Sequence, residues 1–428
     1  MKITSIESIA LIDANNFYAS CEQSMNPHLR NKPVVILSNN DGCIIARSPE
    51  ARALKIKMGV PYFKVKERLS KLNVAVLSSN YSLYGDMSRR LMNLLKNYCE
   101  EIEIYSIDEA FVSVFRPNNK NLYPWARKLR SLIYQNLGIT LTIGIGENKV
   151  RAKIANKLAK NIDHSAGIFD LARIKDENNY LRRINVDKIW GVGKQTSNWL
   201  KTKGIKNAKE LRDMEENEIV KKLGIVGKRL QLELKGYKCL PIEKSAKPKK
   251  AIQICRSFGT PITKLDDLTQ ALAIYAIKAS SKMRSQNLQT SMISVFARTS
   301  KYSNQNYQKS ANKKLINATN DTSTILKVIV ALAKEIYNPE YKLSKAGVLM
   351  QDLTNCEYLQ QSIIPYESQN DIQKSENLMK TIDSLNKRFN NKAITWAITR
   401  KSKEWTMNRN LLSQTSTTDI EHIPTIVI

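Results

Sequence analysis

The sequence predicts a multidomain α+β protein, and three observations support this fold class. The chain has 428 residues, too long for one ordinary domain and sufficient for about three to five cores. Short segments with the strand period of two are mixed along the chain with longer segments of helical period. Residues 239–252 are basic, contain Pro241 and Pro248 and show neither period, which predicts a linker between two of the cores.

The individual elements follow from these periods and from the turn residues that flank them. Strands are expected at residues 9–12, 34–37, 43–46, 101–105, 110–115, 139–145, 292–297 and 345–350. Helices are expected from residue 15, from Pro49, after residue 88, and over residues 125–137, 149–160, 268–283 and 324–336. Residues 39–42 predict a hairpin and residues 58–63 a turn. The helix after residue 88 is expected to pack on a sheet through Leu91, Leu94, Leu95 and Tyr98.

The segment 105–111 contains the acidic pair Asp108 and Glu109 between two predicted strands. Neighbouring residues on a regular strand face opposite ways, so this pair can serve one site only where the strand ends or turns. We therefore predict a hairpin with its turn at these two residues. An isolated acidic pair more often only solvates a turn, and that alternative remains open for this segment alone.

A third carboxylate favours a catalytic or metal-binding role for the acidic pair over simple solvation of a turn. Asp13 follows the apolar strand-like run 9–12 and is itself followed by Ala14. Three hard oxygen ligands at strand ends can hold two magnesium ions, an arrangement that activates an attacking oxygen and stabilises a leaving one in phosphoryl transfer. The residues therefore predict nucleotidyl-transfer chemistry in outline.

The charge balance indicates a polyanionic partner. The chain carries 68 Lys and Arg against 39 Asp and Glu, a formal net charge of +29. No stretch approaches the roughly 20 apolar residues of a membrane span, and the first residues lack the apolar core of a signal peptide. We expect a cytoplasmic, nucleic-acid-binding protein. The six cysteines form no C-x-x-C pair, which makes a zinc site or a disulfide framework unexpected.

The predicted helix 149–160 carries lysines on one face. Lys149, Lys153, Lys157 and Lys160 recur at helical spacing, while Val150, Ile154 and Leu158 mark another face. Like charges on one face repel unless an anion lies opposite them. The alternative is an ordinary solvated basic face.

Two glycine-containing turns predict a pair of helix-hairpin-helix motifs. Residues 189–194 and 223–228 each place two glycines before a lysine that opens a helical stretch. Backbone amides at such a turn can approach a phosphate closely without reading base sequence. A dinucleotide fingerprint is the rival interpretation, but the third glycine of that motif is absent. The candidate DNA contacts here are Gly191, Gly193, Lys194, Gly224, Gly227 and Lys228, joined by Lys249 and Lys250 of the basic linker.

Three stretches together resemble the Y-family translesion DNA polymerases, and most closely the UmuC type found as the catalytic subunit of bacterial DNA polymerase V. These are Asp13 with residues 17–19, the segment 105–111, and residues 144–149. The resemblance covers nearly the whole chain. It implies a right-hand polymerase with a palm at 1–27 and 80–165, small fingers at 28–79 and a helical thumb with helix-hairpin-helix motifs at 166–238. It further implies the linker at 239–252, an α+β little finger at 253–354 and a C-terminal extension at 355–428.

The resemblance also implies a role for each site residue. Asp13, Asp108 and Glu109 would be catalytic and hold two Mg²⁺ ions, with the carbonyl of Ala14 as a further metal ligand. Tyr18 would be a steric gate against the sugar 2′-hydroxyl of the incoming nucleotide. The other implied nucleotide contacts are Phe17, Arg52 and Lys160, with Arg151 as a lesser candidate, and the implied DNA contacts of the little finger are Arg256 and Arg298.

The C-terminal extension is expected to carry partner sites. Residues 360–364 resemble a sliding-clamp peptide, with Gln360, Ile363 and Ile364 as the binding residues. Residues 405–409 resemble the part of the UmuC type where regulatory partners bind, here a UmuD′-like accessory subunit and a recombinase filament. Composition alone predicts only a loosely ordered tail.

The implied function is error-prone addition of deoxynucleotides to a primer 3′ end opposite damaged template, in DNA repair and the SOS response. Primer-template DNA and deoxynucleoside triphosphates are the implied substrates. Two alternatives remain at this point. A non-catalytic DNA-binding homologue would leave the three carboxylates without a role, and a cyclase-like nucleotidyl transferase with a similar palm would leave the two hairpins without one.

Overall fold

The computed structural model describes residues 5–117, 121–162, 165–245, 248–303, 306–356, 369–389, 393–399, 405–414 and 417–418. Its strands are β1 (Ser5–Ala14), β2 (Val34–Leu37), β3 (Ile44–Arg47), β4 (Ala75–Ser78), β5 (Ile102–Ile104), β6 (Glu109–Pro117), β7 (Leu141–Gly146), β8 (Ile168–Asp170), β9 (Ile252–Ile262), β10 (Leu288–Arg298), β11 (Gln308–Thr319) and β12 (Leu343–Asn355). Its helices are α1 (Phe17–Met25), α2 (Pro49–Ala53), α3 (Tyr62–Lys71), α4 (Tyr81–Tyr98), α5 (Tyr123–Leu137), α6 (Lys149–Asn161), α7 (Glu177–Arg182), α8 (Lys194–Thr202), α9 (Ala208–Asp213), α10 (Glu216–Leu234), α11 (Leu265–Arg284), α12 (Thr322–Ile336) and α13 (Gln369–Arg388).

The chain forms two compact units. Unit 1 comprises Met1–Ser38, Gly42–Ala246 and Leu411–Ile428, and unit 2 comprises Asn39–Asp41 and Lys247–Asn410. Sheets and helices are mixed in both units, which confirms the predicted α+β class. The finer subdomain bounds implied by the resemblance stay a prediction.

A five-stranded sheet in the order β5-β6-β1-β7-β8 positions the predicted site in unit 1. Alternate residues of β1 face opposite sides of this sheet. Ala10, Ile12 and Ala14 belong to a buried cluster with residues of α4 and α5, whereas Ile9 and Leu11 pack with Phe111 and Ala152 of α6. Helices therefore cover both faces of the sheet, and Asp13 lies on the face of α6.

A buried ion pair joins β6 to β8 in the same sheet. The guanidinium of Arg116 donates two hydrogen bonds of 2.8 Å to the carboxylate of Asp170 and one of 3.1 Å to the hydroxyl of Ser8. Both charged side chains are almost fully buried. Such a pair specifies which strand ends meet, because either charge alone would be costly to bury.

A second sheet of unit 1 has the order β3-β2-β4, and all four residues of β2 are buried in it. The hairpin predicted at residues 39–42 is confirmed, since β2 pairs antiparallel with β3. Ser48 accepts a hydrogen bond from the amide of Ala51 and begins α2, with Pro49 at its first position as predicted.

The predicted glycine turns lie in a helical region of unit 1. Its buried cluster joins Val150 and Ile154 of α6 to Leu200 of α8 and Ile219 of α10. Gly191 has a φ of 93°, and Gly224 has a φ of 63° that interrupts α10. These left-handed conformations favour glycine and reverse the chain between helical segments.

Unit 2 contains a four-stranded sheet in the order β11-β10-β12-β9 with α11 and α12 packed on it. The predicted strands 292–297 and 345–350 and helices 268–283 and 324–336 are confirmed as parts of β10, β12, α11 and α12. The edge strands β9 and β11 were not predicted, and β9 begins at Ile252, the last residue assigned to the linker. Both edge strands are mostly exposed, so they lack the apolar period that marks a buried strand.

Three sequence expectations are wrong in detail. Tyr62 and Phe63 begin α3 rather than completing a turn, because residues 62–71 have an amphipathic helical pattern. Tyr98 ends α4 with 49% of its surface exposed, while Leu83, Tyr84 and Met87 supply the packing instead. Trp405, placed in a loosely ordered partner-binding tail, is buried against Phe258 in the core of unit 2.

Among the helices that the structure describes, we find none with the length and apolar composition needed to cross a membrane.

Candidate active site

The predicted hairpin exists, and it brings two carboxylates into register. The amides of Tyr105 and Ser106 both donate to the carbonyl of Glu109, at 3.0 and 3.1 Å, and close a tight turn between β5 and β6. Glu109 is the first residue of β6 and is the antiparallel partner of Asp13 on β1. These two carboxylates therefore face each other across neighbouring strands.

Asp108 occupies the turn just before β6. Its amide nitrogen and that of Glu109 donate to the hydroxyl of Ser106, and this hydroxyl in turn donates to the Asp108 carboxylate at 2.6 Å. The carbonyl of Asp108 accepts a 2.9 Å hydrogen bond from the amide of Ala14, which ties the turn to the end of β1. Because Asp108 lies in the turn and not in β6, its side chain is not forced to the sheet face opposite that of Glu109.

Two lysines of α6 neutralise the paired carboxylates. Lys160 Nζ lies 2.7 Å from Asp13 Oδ1, and Lys153 Nζ lies 3.0 Å from Glu109 Oε2. A third lysine, Lys149, is buried against Glu103 of β5. The basic face predicted for this helix is therefore directed at the carboxylates of the sheet, and for these three lysines the solvated alternative is wrong.

The environment of Asp13 opposes a negative charge. Burial raises the pKa of Asp13 to about 7, the ammonium of Lys160 lowers it in opposition, and neighbouring Glu109 adds to the rise. Two close carboxylates in a buried site repel each other, and nearby positive charge lowers the free energy of the ionised pair. The site is thus suited to a bound cation.

The donor set fits a divalent cation with oxygen ligands, although its side chains are not gathered around one point. Within the described part of the chain, no three His, Cys, Asp or Glu side chains form a ready metal cluster. The Asp108 carboxylate is held by Ser106, and the other two are held by lysines. All three are hard oxygen donors in or beside one strand pair, and ammonium groups are counterions that a metal ion can displace.

An aromatic cluster around Lys153 was missed by the sequence analysis. Its ammonium lies 4.3 Å from the ring centroid of Tyr105 and 5.7 Å from those of Phe111 and Trp190. Trp190, in the first glycine turn, also donates a 2.9 Å hydrogen bond to the Tyr105 hydroxyl. The cation–π contacts hold Lys153 beside Glu109. The spacing of lysines on α6 was the available signal, but it did not show which aromatic side chains would surround one of them.

Tyr18, the proposed steric gate, is part of a second aromatic cluster. Its ring stacks on that of Tyr84 with centroids 4.4 Å apart and an interplanar angle of 13°, and it meets Tyr81 edge-on at 6.2 Å. Burial raises the pKa of Tyr18, and the nearby charges of Tyr81 and Asp108 raise it further. Tyr18 is half-buried, so its ring has both a rigid support and an open side.

The remaining predicted nucleotide contacts differ in their placement. Phe17 is 4% exposed and its ring packs in the core of unit 1, and its predicted contact with the nucleotide stays a prediction. Arg151 is also buried, paired with Glu147 and Glu177, and it is not available to a triphosphate. Arg52 is exposed on α2, where the described residues offer it no ion pair.

The two glycine turns present different surfaces. Gly191, Gly193 and Lys194 are exposed at the start of α8. Gly224 is exposed at the second turn, but Gly227 is buried, and a Cβ there would lie 2.5 Å from the Cβ of Leu223. Gly227 therefore permits close helix packing rather than offering a surface to DNA, a correction to its predicted role. Lys228 is half-buried and paired with Glu216.

The other predicted DNA contacts lie in unit 2. Lys249, Lys250 and Arg256 are exposed, and Arg298 on β10 is half-buried. Burial and the adjacent ammonium of Lys282 lower the pKa of Lys249, the response expected where positive charges crowd. The predicted clamp-binding residues Gln360, Ile363 and Ile364 lie outside the described residues.

Three family models match the sequence. The model described as the impB/mucB/samB family matches residues 12–157, which include the carboxylates and α6. The C-terminal domain model of the same family matches residues 249–363. A domain of unknown function (DUF4113) matches residues 376–426.

Named relatives match over most of their length. UmuC from Salmonella typhimurium is 37% identical over 413 residues, which is 96% of this chain and 97% of that protein. MucB from Escherichia coli is 36% identical over 98% of this chain and 99% of its own. DNA polymerase IV 1 from Bacillus subtilis is 27% identical over 92% of this chain and 93% of its own.

Solved structures share the fold. A Y-family DNA polymerase chimera of Dbh and Dpo4 matches with a TM-score of 0.65 and 24% identity, over 81% of this chain and 99% of that one. An insertion ternary complex of Dbh DNA polymerase matches with a TM-score of 0.53 over the same shares. These likenesses support the multidomain α+β fold expected from the sequence.

Proposed function

The chain belongs to the impB/mucB/samB family, as a UmuC-type member of the Y-family DNA polymerases, and on this premise we propose how its residues perform translesion synthesis. It is a DNA-directed DNA polymerase of translesion DNA synthesis in the SOS response. The proposal assigns the catalytic role to Asp13, Asp108 and Glu109. The observation that carries it is the cross-strand register of Asp13 and Glu109 beside the Asp108 turn.

Family membership implies dependence on a divalent metal. We propose that the metal is Mg²⁺, in two ions, held by Asp13, Asp108 and Glu109 with the carbonyl of Ala14. When bound, the ions supply activation of the primer 3′-hydroxyl and neutralisation of charge on the triphosphate and departing pyrophosphate. The proposal is supported by the hard oxygen donors and by the raised pKa of buried Asp13.

The protein's own side chains would bind and orient the substrate. Lys160 is 40% exposed and now pairs with Asp13, so an incoming triphosphate can recruit its ammonium by offering more anionic oxygens. Arg52 would bind the same phosphates from α2. Lys153 would keep Glu109 oriented, since its ammonium is held by three rings and by the carboxylate itself.

Tyr18 would exclude ribonucleotides. Its ring is supported from behind by Tyr84, so a 2′-hydroxyl could not displace it without breaking a stacked pair. DNA would be held without sequence readout through the amides and lysine at the first glycine turn, by Gly224 and Lys228 at the second, and by Lys249, Lys250, Arg256 and Arg298 in unit 2.

We propose the same partners for this chain that the resemblance implies, namely a sliding clamp, a UmuD′-like accessory subunit and a recombinase filament. The clamp would bind through Gln360, Ile363 and Ile364. A cytoplasmic location, with nucleoid association during synthesis, completes the proposal.

The rival functions are disfavoured. A cyclase would not need the segments beyond residue 165, yet UmuC matches over 96% of this chain. A non-catalytic DNA-binding protein would not need two lysine-paired carboxylates facing each other across β1 and β6.

The test is primer extension on templates with and without an abasic site, in Mg²⁺, with and without the accessory subunit. We expect deoxynucleotide insertion opposite the abasic site. Duplex binding without extension on any template, even with the accessory subunit present, would favour the non-catalytic alternative.

A further inference from the structure

The C-terminal residues 411–414 return to unit 1 and bind beside the start of α4. The amide of Ser78, at the end of β4, donates to the carbonyl of Leu411 at 2.8 Å, and the amide of Leu411 donates to the Ser78 hydroxyl at 3.0 Å. Asn80 Nδ2 donates to the Ser413 hydroxyl at 2.9 Å and contacts the carbonyls of Ser413 and Gln414. This anchoring is specific, since it uses main-chain and side-chain groups of Leu411, Ser413 and Gln414.

One bond of this segment reaches a buried carboxylate. The Ser413 hydroxyl donates a 3.0 Å hydrogen bond to Glu22 Oε1, and the Tyr84 hydroxyl donates to the same oxygen at 2.8 Å. Glu22 is only 2% exposed. A buried carboxylate depends on its donors, and losing one of two leaves it poorly satisfied.

Tyr84 supports the Tyr18 ring, and Glu22 accepts a hydrogen bond from Tyr84. Glu22 follows Tyr18 by four residues on α1, so the two side chains lie on the same side of that helix. Tyr84 is fully buried and stacks on the Tyr18 ring. Asn80, which holds Ser413, also caps α4 by accepting from the amide of Leu83, and α4 carries Tyr84. The contacts thus run without interruption from Ser413 through Glu22 and Tyr84 to Tyr18.

We propose that residues 411–414, within the region matched by the domain of unknown function, form a positioning element for the sugar-selecting ring of Tyr18, acting through the Ser413 hydroxyl, Glu22 and Tyr84. The segment makes no contact with the nucleotide in this proposal. It fixes the ring against which a ribose 2′-hydroxyl would collide, and so deepens discrimination between ribonucleoside and deoxyribonucleoside triphosphates. The inference rests on the proposed role of Tyr18.

The test compares full-length Ser413→Ala with wild type in insertion of matched ribo- and deoxyribonucleotides. Discrimination, the ratio of the two kcat/KM values, should fall by roughly three- to tenfold, as expected for partial loss of a hydrogen bond to a charged group. Ser413→Thr keeps the hydroxyl and should keep the discrimination. Asn93→Ala, which alters an exposed side chain of α4, is the matched control and should also leave discrimination unchanged.

A double mutant tests the route of the effect. In a Tyr18→Ala background, adding Ser413→Ala should change discrimination no further, because the ring on which it acts is absent. The proposal would be overturned if Ser413→Ala lowered discrimination in the Tyr18→Ala background as much as it does in the wild type. Unchanged discrimination in folded Ser413→Ala would also overturn it. Primer extension by the wild type tests the proposed polymerase function, and the discrimination of Tyr18→Ala tests the proposed role of Tyr18. Both results are independent of Ser413.

Hydrogen exchange provides a readout that needs no activity. Ser413→Ala should speed amide exchange in α1 relative to wild type, while the four-stranded sheet of unit 2 exchanges at the same rate. Exchange in α1 that matches wild type would also contradict the proposal.

Discussion

Asp13 of β1 is the cross-strand partner of Glu109 of β6, and each carboxylate is bound by its own lysine from α6. If these carboxylates carry catalysis, Glu109→Gln should lower primer extension at least about a hundredfold, by removing charge that holds the metal. Duplex affinity should change little, because the basic surfaces remain. Extension rates and DNA binding are measured on the same preparation.

The matched control is Glu100→Gln, which removes an exposed carboxylate from the same unit. It should extend primers as wild type does. Full extension by Glu109→Gln would refute the site assignment.

The raised pKa of Asp13 predicts a pH-dependent stability cost. Its pKa in the folded protein, about 7, lies above the ordinary value near 4, so the folded state binds more protons between these values and stability falls as pH rises through them. Asp13→Asn removes this cost. Without metal, the variant should be more stable than wild type at pH 8 by about 1 to 4 kcal/mol, with a smaller difference at pH 5.

Denaturant unfolding with and without millimolar Mg²⁺ measures this difference. Mg²⁺ should raise the stability of wild type more than that of Asp13→Asn. Asp213→Asn is the opposite case, since hydrogen bonding to Arg212 lowers the pKa of Asp213 to about 2 and its contribution is lost as pH falls. If the wild type were more stable than Asp13→Asn at pH 8 in the absence of metal, the predicted cost of ionising buried Asp13 would be contradicted.

Tyr18→Ala should increase ribonucleotide insertion relative to deoxynucleotide insertion by about ten- to a few hundredfold. Overlap of a hydroxyl with a rigid ring costs roughly 1 to 3 kcal/mol, and each 1.36 kcal/mol is about tenfold in rate. Competing-substrate extension on undamaged template gives the ratio. Unchanged discrimination in an active mutant would make Tyr18 a core aromatic only.

The basic surfaces should bind DNA through phosphates. The logarithm of affinity should fall linearly with the logarithm of salt concentration, with little preference among duplex sequences. Lys194→Ala, at the first glycine turn, should reduce the salt slope by about 1. Lys96→Ala, an exposed lysine of α4, serves as the control. A strong preference for one duplex sequence would contradict phosphate-based binding.

The buried pair of Arg116 and Asp170 should be important for stability. Asp170→Asn leaves a buried guanidinium without its counterion and should lower the free energy of unfolding by about 3 to 5 kcal/mol. Lys203→Gln breaks an exposed pair with Glu218 and should cost less than about 1 kcal/mol. Equal small losses in both variants would show that the buried pair is dispensable.

Local features of this protein were determined by the sequence itself. The hairpin at Asp108 and Glu109, the strand that carries Asp13 and the turns at Gly191 and Gly224 were all predicted in place. The period of apolar side chains and the residue types of a turn depend on residues a few positions apart, so a single sequence is enough to predict them. The same local pattern predicted that α6 would carry its lysines on one face.

Pairings between distant residues were decided by the tertiary structure. Sequence spacing could not show that Lys160 would meet Asp13, 147 positions away, or that Ser413 would reach Glu22 over 391 positions. Such contacts depend on strand order and on which sheet face each helix covers. The local period of apolar residues in the sequence predicts neither of these. For the same reason the sequence around Trp405 predicts only a polar tail, whereas in the structure the apolar core of unit 2 buries this side chain.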